Sequence, residues 1–490
     1  MVEFGTAGIR GPVAETVTPE VALAVGSAVG RLAVNDEPTD HPEIGIGRDG
    51  RLTGPALAAA VEAGVAAAGA TPIRLGTVPT PTLAFESRGR YGVMLTASHN
   101  PPADNGIKCF VDGQEFDDAR EARIESLVDD ASPPADFEAW RSPRRREPLP
   151  DYRAAVADYI REQLPTDGEA AICDGLRVAV DCGNGMAALS TPQVLNDLGA
   201  TVVALNANVD GRFPGRPSKP TPETLGDLRA FVADGDFDLG IAHDGDADRI
   251  VILDGDGEIV HEDSVVAMLA GYYTRQASSD ADAGDADAGD DAGDANAGDD
   301  ADATDPVVVT TPNASGRIDE QVTAAGGRVE RVRLGALHEG IAAAERDGGS
   351  VVFAAEPWKH IHPAFGGWID GVASAALLAG LVATRGLDEL REPITERPYR
   401  KVSVDCPEAA KSAAMATLES SLPEAFPDAT VSLEHGIRLS LPDGSWLLVR
   451  PSGTEPYIRL YAESESVDDL VATATERIET AVDDTAGAAD

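Results

Sequence analysis

The chain alternates short aliphatic runs with longer Ala-rich stretches, and turns rich in Gly and Pro separate them. "EIGIGRD" (43–49) and "YGVMLTA" (91–97) read as strands, and "GPALAAAVEAGVAAAGA" (54–70) reads as a helix. After the polar stretch "RRREPLPDY" the pattern restarts. "LRVAVDCGNG" (176–185) is a strand entering a glycine turn, "TPQVLNDLG" (191–199) is helical, "ATVVALN" (200–206) is a strand, and 237–254 holds two strands around an acidic turn. A third cycle has a helix at 263–276, a strand at 306–311, a helix at 316–326 and strands at 328–334 and 349–356. The last segment differs: a strand at 401–406, a helix near 408–421, strands at 430–434, 436–441 and 445–450, and a closing helix near 466–482. This order predicts α/β layers repeated three times and then a smaller α+β domain. Linkers near 150, 260 and 395 divide the chain into 1–150, 151–260, 261–395 and 396–490, and 490 residues suffice for that many domains.

Residues 280–305 interrupt the third cycle with 11 aspartates and no bulky hydrophobe. No glycine-rich nonapeptide period of a calcium-binding repeat holds there. Such a stretch buries too little apolar surface to offset its ordering entropy, so an acidic insertion over 278–305 is expected to be a disordered surface loop. The remainder is acidic too: 39 Lys and Arg against 84 Asp and Glu give a formal charge of −45. That balance opposes nucleic acid and anionic membranes as partners. It resembles the surfaces of proteins from salt-loving cells, where ions screen the repulsion between carboxylates. No apolar run is long enough to predict a membrane span, and "MVEFGTAGIRG" lacks the basic-then-apolar order of a leader. Cys109, Cys173, Cys182 and Cys406 are too widely spaced for zinc knuckles and read as free thiols in a reducing cytoplasm.

Four loops carry candidate chemistry. In "TASHNP" (96–101), Ser98 ends a strand beside His99 and becomes a nucleophile if it is activated or phosphorylated. Lys108, in "NGIK", is near enough for the chain to fold back and either lend charge to a phosphate or serve as a base. In "DGDADR" (244–249), Asp244, Asp246 and Asp248 alternate in a tight turn and can converge on a hard cation, leaving room for a further anionic oxygen. The loop is no EF-hand, since Arg249 and Gly255 stand where Gly and Glu are required. In "AAEPWKHIHPAFGGWIDG" (354–371), Glu356, Lys359 and His360 suit a polyhydroxyl ligand, whereas His360 and His362 lack a third metal ligand. In "RPSGTEP" (450–456), Arg450, Ser452, Gly453 and Thr454 make an anion cradle, and no Walker A pattern occurs. A G-x-G-x-x-A run from Gly183 to Ala188 has the form of a dinucleotide fingerprint, with Asp210 the only acid at about the right distance.

Taken in order along the chain, "FGTAGIRG", "TASHNP", "NGIK", "DGDADR", the loop at 356 and "RPSGTEP" resemble the α-D-phosphohexomutase family. The resemblance implies three related α/β domains around a central cleft plus a C-terminal α+β domain like the TATA-box-binding protein. It implies that Ser98 carries a phosphoryl group and that Asp244, Asp246 and Asp248 hold Mg²⁺ with it. Arg10, His99, Lys108 and Arg249 would surround the transferring group. Glu356 would bind sugar hydroxyls, and Arg450, Ser452, Gly453 and Thr454 would clamp the existing phosphate. The implied enzyme is an isomerase that interconverts sugar 1- and 6-phosphates, with a sugar bisphosphate as intermediate and activator. The clamping domain is expected to be mobile, and the chain monomeric or a homodimer. In the sugar loop, Glu356-Pro357-Trp358-Lys359-His360 departs from the frequent Glu-x-Ser-Gly-His, and Ala7 replaces a frequent Ser. The layout is similar to that of archaeal members acting on glucosamine phosphate, with mannose, glucose and pentose phosphates as competitors. Lys359 and His360 are poor company for a protonated amine. Other classes weighed are a non-catalytic phosphosugar-binding homologue and a nicotinamide enzyme.

Overall fold

A computed structural model of the chain describes residues 4–5, 8–36, 41–130, 133–165, 171–287, 305–452 and 455–487, with backbone alone for 280–287 and 486–487. Its contacts define two units, Met1–Glu262 with Trp358–Leu390, and Asp263–Pro357 with Arg391–Asp490.

One strand order is built three times. Glu43–Arg48 lies between Thr71–Thr77 and Tyr91–Leu95, parallel to both. Arg177–Asp181 lies in the same way between Thr201–Leu205 and Leu239–His243. Pro306–Thr310 repeats it between Arg328–Arg331 and Ser350–Glu356. Parallel neighbours require crossovers, and helices supply them: Gly54–Ala67 and Thr80–Glu86 in the first repeat, Thr191–Asp197 and Gly226–Ala233 in the second, Gly316–Ala324 and Leu337–Arg346 in the third. Strands such as Tyr91–Leu95, Leu239–His243 and Pro306–Thr310 are buried throughout, as befits parallel strands covered on both faces.

The third strand of each repeat leads into a candidate loop. Tyr91–Leu95 precedes Ser98, Leu239–His243 precedes Asp244, and Ser350–Glu356 ends on Glu356 itself. Open α/β sheets present ligand sites at these carboxyl ends. After its loop the chain returns antiparallel. In the first repeat Asp104–Val111 sets Lys108 opposite Met94, and Ile9–Pro12 then sets Arg10 opposite Gly106. In the second, Ile250–Leu253 pairs back on Leu239–His243.

The C-terminal sheet is wholly antiparallel, in the order Tyr399–Asp405, Tyr457–Glu463, Trp446–Pro451, Ile437–Ser440, Thr430–Ser432. One face buries Val449, Ile458, Leu460 and Ala462 with residues of the helices Glu408–Ala425 and Val467–Gly487. This is the smaller α+β domain expected from the sequence. The strand Tyr457–Glu463, absent from the sequence reading, lies inside the sheet; its alternation of Ile458, Leu460 and Ala462 with Tyr457, Arg459 and Tyr461 is the missed signal. Within this unit a buried ion pair, Arg317 to Glu463 at 3.0 Å, joins the third repeat to the C-terminal sheet.

Two sequence expectations need correction. The helix expected over 263–276 runs from Glu262 to Asp287, into the acidic insertion. Alanines sustain a helix without burying a bulky side chain, so the missing hydrophobes did not end it. Residues 288–304 of that insertion lie outside the described residues. The polar link near 150 is the first turn of the helix Leu149–Gln163, entered through prolines, and its Tyr152 is buried with its hydroxyl donating to Asp370. Among the described residues no helix is long and apolar enough to cross a membrane, and the four cysteines are free and buried.

Candidate active site

Ser98 has no exposed surface and sits in left-handed backbone at φ 49°. Its Oγ donates to Asp244 Oδ2 at 2.6 Å and lies 3.3 Å from His99 Nδ1. Asp244, Asp246 and Asp248 converge, with one carboxylate oxygen of each within 4.8 Å of the others. The loop that presents them carries its own left-handed residue, Ala247 at φ 62°. Each such non-glycine residue costs roughly 1 kcal/mol, which the surrounding packing must offset. The approach of the two loops requires Gly245, because a Cβ there would stand 2.5 Å from the carbonyl oxygen of Ser98. Gly185 is required too, since its Cβ would lie 2.7 Å from Gly245 O. Met186 N donates to that same oxygen at 3.0 Å. The dinucleotide-like glycine run therefore underpins the acidic loop, and Asp210 N bonds Asn184 O within that turn.

The partners of the aspartates differ. Asp246 Oδ2 accepts from Thr80 Oγ1 at 2.6 Å. Asp248 Oδ2 accepts from Lys108 Nζ at 3.1 Å, and Lys108 also reaches Glu115 at 3.1 Å. Arg249 Nε stands 3.8 Å from Asp244 and 3.7 Å from Asp248. Oδ1 of each aspartate is buried without a hydrogen-bond partner among the described residues. Three buried carboxylates, each with one unused hard oxygen, fit a divalent cation. Burial and the two neighbouring aspartates push the Asp244 carboxyl well above its ordinary range. Burial also works against ionised Asp248, but Lys108, Arg249, Lys359 and Arg10 outweigh it and hold that group low. The same balance keeps Lys108 an ammonium: burial opposes it, and Glu115, Asp248 and Asp246 prevail. Of the two roles expected for Lys108, this environment favours charge over proton abstraction. Burial, then Arg249 and Arg10, push His99 down to about 3, so its ring is neutral. Nε of Arg10 and of Arg249 is buried without a hydrogen-bond partner among the described residues.

The sugar loop divides. Lys359 pairs in register with Arg249, beside the aspartates. His360 is turned inward, 2% exposed, and shares the Ser374 hydroxyl with His362 at 3.1 and 2.8 Å. Ser374 gives its one proton to Asp370 O, so both rings donate to it. His360 is thus packed against Ser374 in this structure, and burial drives both imidazoles to about 3. Glu356 accepts from Gly335 N at 2.5 Å in the other unit.

In that unit Arg450 stands directly opposite Arg459 on the neighbouring strand. Arg450 donates to Tyr461 Oη at 3.1 Å and Arg459 to Tyr457 Oη, and the Nε of each is buried without a hydrogen-bond partner among the described residues. Like charges face to face are unfavourable unless an anion joins them. Arg459 is therefore a candidate that the sequence reading missed. The backbone of Ser452 is held at both ends, its N donating to Tyr457 O and its carbonyl accepting from Lys411 Nζ at 2.7 Å. Lys411 also bonds Glu455 O at 2.7 Å. Gly453 and Thr454 lie outside the described residues.

Comparison with known proteins gives the family. Residues 1–134 match the description "Phosphoglucomutase/phosphomannomutase, alpha/beta/alpha domain I", residues 157–257 match domain II, and residues 402–480 match the C-terminal domain. The chain belongs to the phosphoglucomutase/phosphomannomutase family, and it is a phosphomutase, an isomerase that relocates a phosphoryl group on its substrate. A phosphopentomutase of Thermococcus kodakarensis is 37% identical over 474 residues, spanning 94% of this chain and 93% of that one. A probable phosphoglucosamine mutase of Methanopyrus kandleri is 39% identical over 475 residues, 94% of each. A phosphoglucomutase/phosphomannomutase family protein from Burkholderia thailandensis shares the fold, with a TM-score of 0.77 at 22% identity over 99% of this chain and 98% of that one.

Proposed function

We propose that this phosphomutase interconverts the 1- and 6-phosphates of a hexose through phosphorylated Ser98 and a sugar bisphosphate, with glucosamine phosphate as the leading substrate. The observation that carries the reading is Ser98 Oγ held 2.6 Å from Asp244 within the converged aspartates. Relatives called probable phosphoglucosamine mutase support the sugar. A second reading, a pentose phosphate, is favoured by the 37% identical phosphopentomutase and by the cationic Lys359, which offers a protonated amine no partner.

In the proposed cycle the free hydroxyl of a sugar monophosphate attacks phosphorus on Ser98. The bond from phosphorus to Oγ breaks, and the hydroxyl proton is balanced by reprotonation of Oγ. The bisphosphate turns end for end, Oγ attacks its other phosphorus, the bond from that phosphorus to the sugar oxygen breaks, the Oγ proton is balanced by protonation of that oxygen, and the isomerised monophosphate departs. Charge spread over the transferring oxygens must be neutralised in place. Arg10, Lys108 and Arg249 supply fixed positive charge there, and neutral His99 can donate a hydrogen bond. Mg²⁺, held by Asp244, Asp246 and Asp248 with the Ser98 phosphate, would supply further neutralisation when bound. Arg450, Ser452, Gly453, Thr454 and Arg459 take the phosphate that is not in transfer, and Glu356 takes sugar hydroxyls. Sugar bisphosphate primes Ser98. Four free thiols support a reducing, cytoplasmic setting.

The test is turnover of glucosamine, mannose, glucose and ribose phosphates with Mg²⁺ in high salt, after priming by glucose 1,6-bisphosphate. Wild type is expected to convert at least one of them, glucosamine phosphate fastest, and Ser98→Ala none. Full activity in Ser98→Ala overturns the mechanism. Faster conversion of ribose phosphate replaces the leading substrate with the second.

A further inference from the structure

The guanidinium of Arg51 is fully buried, and all five of its N–H groups have acceptors. Nε donates to Asp49 Oδ2 at 3.0 Å. Nη1 donates to the carbonyls of Pro101 and Asp104 at 2.5 and 2.9 Å. Nη2 donates to those of Ser98 and Asn100 at 3.0 and 2.8 Å. Asp49 completes the circuit: its Oδ2 accepts from the Thr96 hydroxyl at 2.8 Å, and Thr96 Oγ1 accepts from the amide of Ser98 at 2.9 Å. One buried ion pair thus holds the carbonyl of Ser98 directly and its amide through Thr96.

Charge is not what this pair contributes. Asp49 cancels Arg51, and both are fully buried. The contribution is placement, because Ser98 stands at φ 49°, where a serine stays only if its surroundings hold it. We propose that Arg51, aligned by Asp49, is a positioning residue for phosphoryl transfer that sets the direction of Ser98 Oγ. The proposal rests on the mutase reading above. In-line transfer is sensitive to small displacements of the attacking or leaving oxygen.

Arg51→Lys keeps the charge and loses the fork; Thr96→Val keeps the shape and cuts the link to the Ser98 amide. Both are assayed beside wild type on the sugar phosphate that wild type turns over best, after melting curves establish folding. Arg51→Lys is expected to lose on the order of 10²-fold in kcat. Thr96→Val is expected to lose about 10-fold, and in both variants KM stays within roughly threefold of wild type. Millimolar guanidinium is expected to restore part of the kcat of Arg51→Ala and to do nothing for wild type. A folded Arg51→Lys with kcat within roughly threefold of wild type, or with a change in KM alone, overturns the proposal. If Arg51→Lys does not fold, Thr96→Val decides by the same criteria. Wild type inert on every sugar phosphate overturns the mutase reading instead, and this proposal with it.

Discussion

The serine loop and the C-terminal loop proposed to take phosphate are each held by a buried cation that grips main-chain carbonyls, yet the grips differ. Arg51 reaches four carbonyls of the serine loop and is paired with Asp49, which is itself fully buried. Lys411 reaches two carbonyls, of Ser452 and Glu455, and its carboxylate partner Glu408 has a side chain 79% exposed. A planar fork of five donors specifies direction, whereas an ammonium on a four-carbon stem specifies mainly distance. The contrast fits the two tasks proposed for these loops. A covalent carrier must present one atom in line with its partner, and a clamp must accept either of two phosphates and release it. On that proposal, rigidity is concentrated where the bond changes.

The comparison can be broken at several points. The largest effect is expected in the fixed centre: Asp246→Ala, which removes the carboxylate held by Thr80, should lower kcat on the order of 10³-fold. Steady-state assay across a Mg²⁺ titration checks this, and near-normal turnover at ordinary Mg²⁺ would remove the aspartates from the chemistry. Next comes the clamp. Arg459→Ala gives up a charge-assisted contact worth about 1.5–3 kcal/mol, so kcat/KM should fall about 10- to 100-fold, chiefly through KM. An unchanged KM would show that the facing arginines do not receive phosphate. Smallest is Lys411→Met, which frees the clamp loop at its ends; about 1 kcal/mol, or ~5-fold in KM with kcat kept, is expected. Should its kcat drop as steeply as that of Arg51→Lys, the two grips would be equivalent and the contrast would be lost.

The chemistry legible in the sequence was contiguous chemistry. Ser98 beside His99, three alternating aspartates and an arginine beside two hydroxyls each announce themselves within a few positions. Arg51, Asp49 and Lys411 did not, because Arg51 and Lys411 act on backbone atoms of distant loops and Asp49 acts through Arg51 and the Thr96 hydroxyl, partners that the local sequence does not reveal. The signal available for Arg51 was a charged pair at the end of an apolar strand, in "GRDGR". Arg459 was hidden with its strand, where alternation was overlooked after a proline. For His360 the sequence shows an imidazole near a glutamate, and its contact with Ser374, 14 positions on, belongs to the tertiary structure.

By itself the sequence determined the alternation that builds three repeats, the placement of a polar loop after the third strand of each, and the acids and hydroxyl able to handle phosphate. Only the tertiary structure decided which groups meet. Ser98 reaches Asp244 across 146 positions of chain, and Lys108 reaches Asp248 across 140. Hydrogen bonds and Coulomb attraction act through space over a few ångströms, so their partners are chosen by how sheet ends are packed, and spacing along the chain carries no record of that choice.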